Sequence, residues 1–382
     1  MLPLFLIGCV SSDETGNDFN SELYAGKPID TLSNDAPPLN EKEAIVRGDK
    51  ALRDNNVDLA LYEYIRSLSY PEKEFHDRTL FTIGRIHQSR ENYPLAEKSY
   101  LAVLNVDPAH TGALEQLGSL YTKQNRLEEG LSYFYKAINS DQLRMSSGQS
   151  ISNNHSLTKS QAQAFKVDDQ SPLLAYMGVG VLRDVAGDHD VAQILFGKVL
   201  TISPRSVKGL MNMGYSHYMD GDYDEAMRFT TKALNLEPNN EKAQNNLALI
   251  YLAKGEVQKS VNTFMRHMDA PEALNNVGYF LILQGKPEEA IPYLQQAIDE
   301  FEYPIAYYHL GLFYENGLFV KKSLSKAQDL FKQGYSRGSF VAGIALARVS
   351  GELADVNAYA VLGYLTTLKE LSMKGHEPSR KK

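Results

Sequence analysis

The sequence has few of the residues on which disulfide-linked, metal-binding and membrane-spanning proteins depend. Its 382 residues include one cysteine and no tryptophan. A single cysteine excludes both a disulfide framework and a cysteine metal site within one chain. No segment approaches the roughly 20 consecutive apolar residues that a membrane-spanning helix needs. The formal net charge of −8 lacks the basic footprint of a nucleic-acid-binding protein, so nucleic acid is excluded as a partner.

Motifs of catalysis are absent as well. The sequence has no glycine-rich phosphate-binding loop, no H-E-x-x-H and no G-x-S-x-G nucleophile elbow. Its nine histidines are scattered, and none forms a cluster with metal-ligand spacing on one helix face. We therefore expect no enzyme activity, no cofactor, no metal and no small-molecule substrate. His217 and His309 are predicted to pack against neighbours or to face a groove.

Small residues recur along the chain at a nearly constant period. The steps are 34, 62, 34, 34, 30 and 33 residues between Gly84, Gly118, Gly180, Gly214, Ala248, Gly278 and Gly311. A second small residue follows twelve residues later in each unit, or sixteen in the last, and large residues such as Tyr100 and Phe134 accompany it. Small residues let the two helices of a hairpin approach closely, and such hairpins must stack to bury their apolar faces. The period predicts an all-α array of stacked helical hairpins.

The best-formed unit of this array resembles the tetratricopeptide repeat (TPR). It begins at Gly214-Tyr215, continues through Asp222-Tyr223-Asp224-Glu225-Ala226 and ends at Leu236-Glu237-Pro238. The resemblance implies a right-handed TPR-type solenoid of about eight repeats. Asp220, Asp222, Asp224 and Glu225 look like a calcium loop, but we interpret them as an acidic inter-helix turn that stabilises the next helix N-terminus.

The last repeat and the segments around the array depart from this pattern. The unit from Leu310-Gly311 to Gly338 resembles the related Sel1-like repeat, which has a longer inter-helix turn. Residues 141–172 form an insertion rich in Ser, Gln and Asn, interpreted as a disordered loop or as a partner-docking segment. The predicted organisation is a truncated lipoprotein signal (1–9), a flexible tether (10–40), TPR repeats one to three (41–140), a polar insertion loop (141–172), repeats four to seven (173–303), a Sel1-like repeat (304–338), capping helices (339–374) and a frayed tail (375–382).

The lone cysteine lies in a suggestive position near the start of the chain. The run Leu6-Ile7-Gly8-Cys9 resembles the lipobox of bacterial lipoproteins, in which the cysteine is lipidated and becomes the mature N-terminus. The apolar run is shorter than a complete signal and has no basic start. We expect lipidation at Cys9, with a chance cysteine as the alternative. Several acyl chains would anchor the protein stably, and Val10 in place of Asp favours the outer membrane by this resemblance.

A candidate binding surface lies on the first helices of repeats five to seven. With the recurrent small residue counted as position eight, position six is Asn212, Asn246 and Asn276. The TPR resemblance implies that these amides form a ladder along a concave groove, where they can pair with an extended peptide backbone. The alternative is a purely structural role. The flanking groove positions are Lys208, Met211, Tyr215, Tyr218, Lys242, Asn245, Asn275, Tyr279 and Tyr308. Aromatics, amides and two lysines suit a partner segment with an acidic or carboxylate group.

The lipobox, tether and TPR array together resemble the TadD lipoproteins of the tight-adherence (Tad/Flp) pilus machinery. This resemblance implies a scaffold anchored by lipid at the periplasmic face of the bacterial outer membrane. It also implies a role in assembling or localising the secretin, with the secretin or another pilus component as protein partner. The alternatives are a pilotin-like TPR lipoprotein of type IV pili, a TPR lipoprotein of polysaccharide export, or a soluble cytoplasmic TPR adaptor or chaperone.

Overall fold

The computed structural model describes residues 20–28, 31–32, 35–152 and 157–352. Every regular element in these ranges is a helix, which confirms the all-α prediction. The chain divides into two compact units, Met1–Gly209 and Leu210–Lys382, and each is described by itself.

The described part of the first unit contains nine helices, in three hairpins, an inserted helix and a fourth hairpin. They are α1 (Glu41–Arg53), α2 (Val57–Ser67), α3 (His76–Ser89), α4 (Tyr93–Val106), α5 (Thr111–Lys123), α6 (Leu127–Arg144), α7 (Lys159–Ala164), α8 (Leu173–Val185) and α9 (His189–Ile202). The two helices of each hairpin pack against each other, and each hairpin packs against the next.

The boundary between the units falls inside α10 (Val207–Met219). The second unit continues with α11 (Tyr223–Leu236), α12 (Glu241–Ala253), α13 (Val257–Phe264), α14 (Ala270–Leu283), α15 (Pro287–Asp299), α16 (Pro304–Asn316), α17 (Leu324–Ser336) and α18 (Phe340–Glu352). The described residues thus hold eight hairpins followed by one further helix, in agreement with the predicted number of about eight repeats.

Close approach of the two helices depends on the recurrent glycine, as the sequence predicts. A Cβ atom at Gly84 of α3 would lie 2.5 Å from Cε1 of Tyr100 in α4, and Gly118 meets the ring of Phe134 in the same way. Tyr100 is fully buried. Because real Cβ contacts are longer than this, only glycine lets the aromatic ring fill the space between the helices.

The acidic turn before α11 serves the helix N-terminus, as predicted. The Asp222 side chain accepts a hydrogen bond from the Glu225 amide at 3.2 Å and caps α11. Glu225 pairs with Arg228, and Asp224 with Lys254, the residue that follows α12. These carboxylates are therefore engaged in capping and ion pairs.

The eighth hairpin has the longer turn expected of a Sel1-like unit. Residues 317–323 separate α16 from α17, whereas residues 220–222 separate α10 from α11. Gly317 ends α16 in a left-handed conformation with φ of 70°, which suits a residue without Cβ. Ser323 then caps α17 through the amide of Lys326.

The insertion is folded wherever the structure describes it, so the interpretation as a disordered loop is wrong for residues 141–152 and 157–172. α6 continues through Arg144, and a capping box of Thr158 and Gln161 starts α7. Four apolar side chains of the insertion are buried in one core with α6, α8 and α9: Ile151, Leu157, Ala162 and Phe165. Because these four residues are widely spaced in a polar sequence, they form no hydrophobic period from which their burial could be predicted.

Polar contacts fasten the insertion at its two ends. The Gln142 side chain donates to the carbonyl of Lys166 at 2.7 Å and accepts from its amide at 3.0 Å. The Arg144 guanidinium donates to both oxygens of Asp168 at 2.8 and 2.7 Å. The insertion is thus a clamped part of the first unit. Whether it also docks a partner stays a prediction.

The second half of the predicted flexible tether is also packed on the first unit. Leu23 is fully buried among side chains of the first two hairpins. Further along, Arg47 donates to the Ala36 carbonyl at 2.6 Å, and the Tyr70 hydroxyl donates to the Pro38 carbonyl. The prediction of a flexible tether is therefore wrong for the described residues between 20 and 40, because one leucine in a polar segment provides an anchor.

Several predicted segments lie wholly or partly outside the described residues. They are the predicted signal 1–9 with the lipid site Cys9, residues 10–19, 29–30 and 33–34 of the predicted tether, residues 153–156 of the insertion, residues 353–374 of the predicted capping helices and the tail 375–382. α18 accounts for the first part of the predicted cap. Within the described ranges, no helix is both long enough and apolar enough to cross a bilayer.

Candidate peptide-binding groove

The candidate groove is built from the first helices of successive hairpins in the second unit. In α14, position eight is Gly278, which faces the second helix: a Cβ there would lie 2.7 Å from Cδ2 of Leu294 in α15. Position six, Asn276, lies two residues earlier, or about 200° around the helix. It therefore faces away from α15. We call this side of the unit the groove face, formed by Asn212, Tyr215, Asn246, Asn276 and Tyr279.

Two of the position-six amides on the groove face, Asn246 and Asn276, are half-buried and only weakly engaged. The Asn246 side-chain amide donates to the Met211 carbonyl of α10 at 3.4 Å, which is long for a hydrogen bond. The Asn276 amide donates to the sulfur of Met268 at 3.3 Å, and a thioether is a weak acceptor. Within the described residues, neither side-chain carbonyl oxygen accepts a hydrogen bond. Asn212 is half-buried as well.

The position-five asparagines serve packing between repeats. Asn275 of α14 is only 4% exposed, and its side-chain oxygen accepts from Nδ1 of His309 in α16 at 2.9 Å. Asn245 of α12 lies 2.8 Å from Nε2 of His267, whose Nδ1 lies 3.1 Å from the Gln244 side-chain oxygen. Two histidines therefore hold these amides, and Asn275 presents almost no surface to a ligand.

His309 is packed, as the sequence predicts. Its ring stacks on Tyr279 with 5.1 Å between centroids and 19° between planes. Burial lowers the pKa of His309 to about 4, so the ring is neutral at neutral pH and its Nδ1–H donates to Asn275. His217 is packed too, stacked at 5.5 Å on Phe229.

The tyrosines of the groove face differ in what they offer. Tyr215 and Tyr279 are each 39% exposed and present ring surface to solvent. Tyr218, by contrast, is half-buried, and its hydroxyl accepts from Gln284 at 3.0 Å. Because Gln284 also donates to the Leu249 carbonyl at 3.2 Å, Tyr218 is part of a contact that links α10, α12 and the end of α14.

The two predicted lysines are exposed but belong to different units. Lys242 lies in the first turn of α12, in the second unit. Lys208 belongs to the first unit. Of the other flanking positions, Met211 is buried and Tyr308 is half-buried against Phe331. Cys9 lies outside the described residues.

Sequence reasoning missed the residues that hold the amides and the tyrosine in place, namely His267 and Gln284. It named His309 without its role. The repeat register could have indicated this role, because His309 occupies position six of the eighth unit, where the three preceding units have asparagine. In the described part of the chain, no three His, Cys, Asp or Glu side chains are arranged to hold a metal ion.

Comparison with known families agrees with the hairpin architecture. A model described as tetratricopeptide repeat matches residues 81–145, and one described as AimR transcriptional regulator-like matches residues 205–337. The tetratricopeptide-repeat match spans the second and third hairpins, α3 to α6, in which Gly84 and Gly118 contact their aromatic partners.

Similar individual proteins are distant. The general transcriptional corepressor ssn6 of Schizosaccharomyces pombe is 26% identical over 195 residues, which is 49% of this chain and 15% of that protein. The chain therefore matches only a small part of this relative's length.

Solved structures with a similar fold include three proteins. A tetratricopeptide repeat protein from Parabacteroides merdae is 15% identical with a TM-score of 0.46, covering 81% of this chain and 98% of that one. PilW, a type IV pilus biogenesis factor, is 13% identical with a TM-score of 0.45, covering 58% of this chain and 90% of that one. Pseudomonas aeruginosa PilF is 14% identical with a TM-score of 0.43, covering 62% of this chain and 97% of that one. Likeness at this level says nothing about function.

Proposed function

We propose that the chain is a scaffold that holds an extended segment of a partner protein against the groove face of its second unit. The observation that carries this proposal is the state of Asn246 and Asn276. Both amides are half-buried, their N–H groups have weak partners, and their oxygens accept nothing within the described residues. Half-buried polar groups in this state gain from a ligand that completes their hydrogen bonds.

The chemistry of the face selects main chain rather than a particular side chain. Each amide can accept from a backbone N–H and donate to a backbone carbonyl, which is the pairing an extended peptide needs. Tyr215 and Tyr279 add exposed aromatic surface for apolar side chains. The exposed Lys242 favours an acidic group or a carboxylate on the partner.

We further propose that this scaffold works in the assembly of a Tad/Flp pilus or a related secretion system, anchored in the outer membrane through a lipid on Cys9. The support for the anchor is the run Leu6-Ile7-Gly8-Cys9. The packed residues that follow alter the expected reach. Asn20, the first described residue, follows Cys9 by eleven residues, so an anchor at Cys9 lies within about 40 Å of the docked chain, the limit of a fully extended backbone. Such an anchor would confine the scaffold to the membrane surface, where it meets partners held in the same membrane at a raised effective concentration.

Replacing Asn246 and Asn276 with alanine tests the groove face. The full-length Asn246→Ala/Asn276→Ala variant is expected to weaken partner capture at least tenfold, because two main-chain contacts are lost, while its melting temperature stays close to wild type. Capture is measured by photocrosslinking in membranes from a benzophenone amino acid at position 279, followed by mass spectrometry of the crosslinked segment.

A matched control separates the groove face from asparagine loss in general. Asn235 and Asn262 lie exposed on the second helices α11 and α13. Their double replacement by alanine removes the same chemistry from the opposite side of the hairpins and should leave crosslinking unchanged. Equal crosslinking by the groove variant and this control would move the binding surface elsewhere.

Metabolic labelling tests the anchor. Labelled palmitate should enter the wild-type protein and be lost in Cys9→Ser, and globomycin should block processing. A wild-type protein that takes up no label would rule out the lipid anchor, leaving the groove-face proposal to its own test.

A second candidate function is a soluble TPR adaptor in a regulatory complex. The observation that favours it is the AimR transcriptional regulator-like match, which covers residues 205–337 and hence most of the second unit. An unlabelled protein found in the cytoplasmic fraction, with regulators among the photocrosslinked partners, would select this candidate.

A further inference from the structure

Residues 20–28 lie across the first two hairpins as a strap. Its main chain is held by two donors from the end of α3. Nε2 of the buried His87 lies 2.8 Å from the Leu23 carbonyl oxygen, and Nη1 of Arg90 donates to the Ala25 carbonyl at 3.1 Å. The two carbonyls are two residues apart, so the contacts follow one edge of the chain as it leaves a helical turn at 20–22.

The side chains of the strap fill three distinct subsites. Leu23 is 0% exposed and lies in the apolar core of the first unit. Glu22 forms an ion pair with Lys98 of α4. The ring of Tyr24 meets Tyr62 of α2 edge-on, with 6.2 Å between centroids. Acidic, leucine and aromatic side chains in direct succession therefore each have their own partner.

The groups that receive the strap are fixed by the first unit itself. Arg90 is held by Asp58 of α2 at 2.7 Å. Burial lowers the pKa of His87, so its ring is neutral at neutral pH and its Nε2–H donates to the Leu23 carbonyl. We call this surface the slot: Asp58, Tyr62, His87, Arg90 and Lys98, with the Leu23 pocket between them.

We propose that the slot is a second peptide-binding site, with the strap as its resident ligand in cis. Its ligand class is a short segment with an acidic residue, a leucine and an aromatic residue in succession. Four consecutive residues, Glu22 to Ala25, make these contacts, which is the length of a short linear motif. The hydrogen bonds use carbonyl oxygens that any such segment carries. A partner with this motif binds by displacing the strap, independently of the groove face.

The test uses the full-length chain and a labelled peptide with the sequence of residues 20–28. In wild type the strap competes at a high effective concentration, so the peptide binds weakly. In Leu23→Asp the strap is released, since a carboxylate cannot enter the apolar pocket, and fluorescence anisotropy should show at least tenfold tighter binding. A peptide carrying the same Leu→Asp change should not bind to either protein.

Charge exchange checks that the peptide enters the slot. In the Leu23→Asp protein, adding Lys98→Glu should weaken binding of the native peptide and should allow binding of a peptide with Lys in place of Glu22. Circular dichroism establishes that the variants are folded. A folded Leu23→Asp protein that does not bind the peptide would overturn the proposal. The proposal would also be overturned if the helices of the first unit were lost both in Leu23→Asp and in the milder Leu23→Ala/Tyr24→Ala variant. The strap would then be an integral part of the fold.

Discussion

Glu115 provides the sharpest test of how the third and fourth hairpins are joined. The first residue before α8 is Pro172, which offers no side-chain cap. The Glu115 side chain, from α5, takes over this role and accepts from the Ala175 amide at 3.0 Å, with the Leu174 amide as a second donor. The carboxylate thus caps a helix 60 residues away in sequence.

Burial sets the charge state of this cap. It raises the pKa of Glu115 from 4.5 to about 7, more than the two backbone amides lower it, and nearby Asp141 raises it further. Because the folded-state pKa lies above the unfolded one, the folded protein binds the proton more tightly. Stability is therefore lost as the pH rises from about 4.5 through about 7. At about 1.4 kcal/mol per pH unit, the full window corresponds to about 3 kcal/mol.

Glu115→Gln removes the ionisation and keeps an oxygen for both amides. We expect the variant to match wild type at about pH 4 and to exceed it by about 3 kcal/mol at pH 8. Hydrogen exchange of residues 173–185, corrected for intrinsic rates, measures this locally, since two units need not unfold together. Glu128→Gln, an exposed glutamate of α6, is the control. A wild type more stable than Glu115→Gln at pH 8, or a difference independent of pH, would refute the reasoning.

Three further predictions concern packing and titration. Gly84→Ala should destabilise the first unit by about 1–2 kcal/mol in urea unfolding, because overpacking against Tyr100 outweighs the gain in helix propensity; a more stable variant would contradict this. Phe165→Ala should cost about 3 kcal/mol or more by the same measurement, whereas a disordered insertion would lose nothing. His309 should stay neutral down to about pH 5 in histidine NMR. Because its folded-state pKa of about 4 lies below the unfolded value of 6.5, the stability it contributes should be lost as the pH falls from about 6.5 toward 4. Titration of His309 near pH 6.5 would instead place its ring in solvent.

The hairpin array was predictable from sequence because its signals repeat. One glycine opposite one aromatic residue is weak evidence, but Gly84 with Tyr100 and Gly118 with Phe134 recur one period apart. The same register put the position-six asparagines on the side away from the second helices. Each repeat solves the same packing problem, so the residues that solve it recur.

Contacts made once leave no such pattern. Leu23 is a single apolar residue in a polar segment, and its partner His87 lies 64 residues away. Phe165 and Ile151 reach their core across a sequence rich in Ser, Gln and Asn. Both segments look disordered by composition, since composition measures average hydrophobicity and not the depth at which one side chain is buried.

The two binding surfaces differ in where specificity can come from. In the slot, His87 and Arg90 read main-chain carbonyls, but the Leu23 pocket and Lys98 also select side chains. The groove face has two weakly engaged amides, which pair with main chain, and exposed rings, which accept many apolar side chains, so it discriminates poorly between extended segments. Main-chain recognition supplies affinity, whereas pockets for alternate side chains supply selectivity. A scaffold that depends on such a face must therefore gain selectivity from its location, which the proposed lipid on Cys9 would set, or from a second contact. A partner bearing both an extended segment and an acidic–leucine–aromatic motif would meet this requirement through one chain.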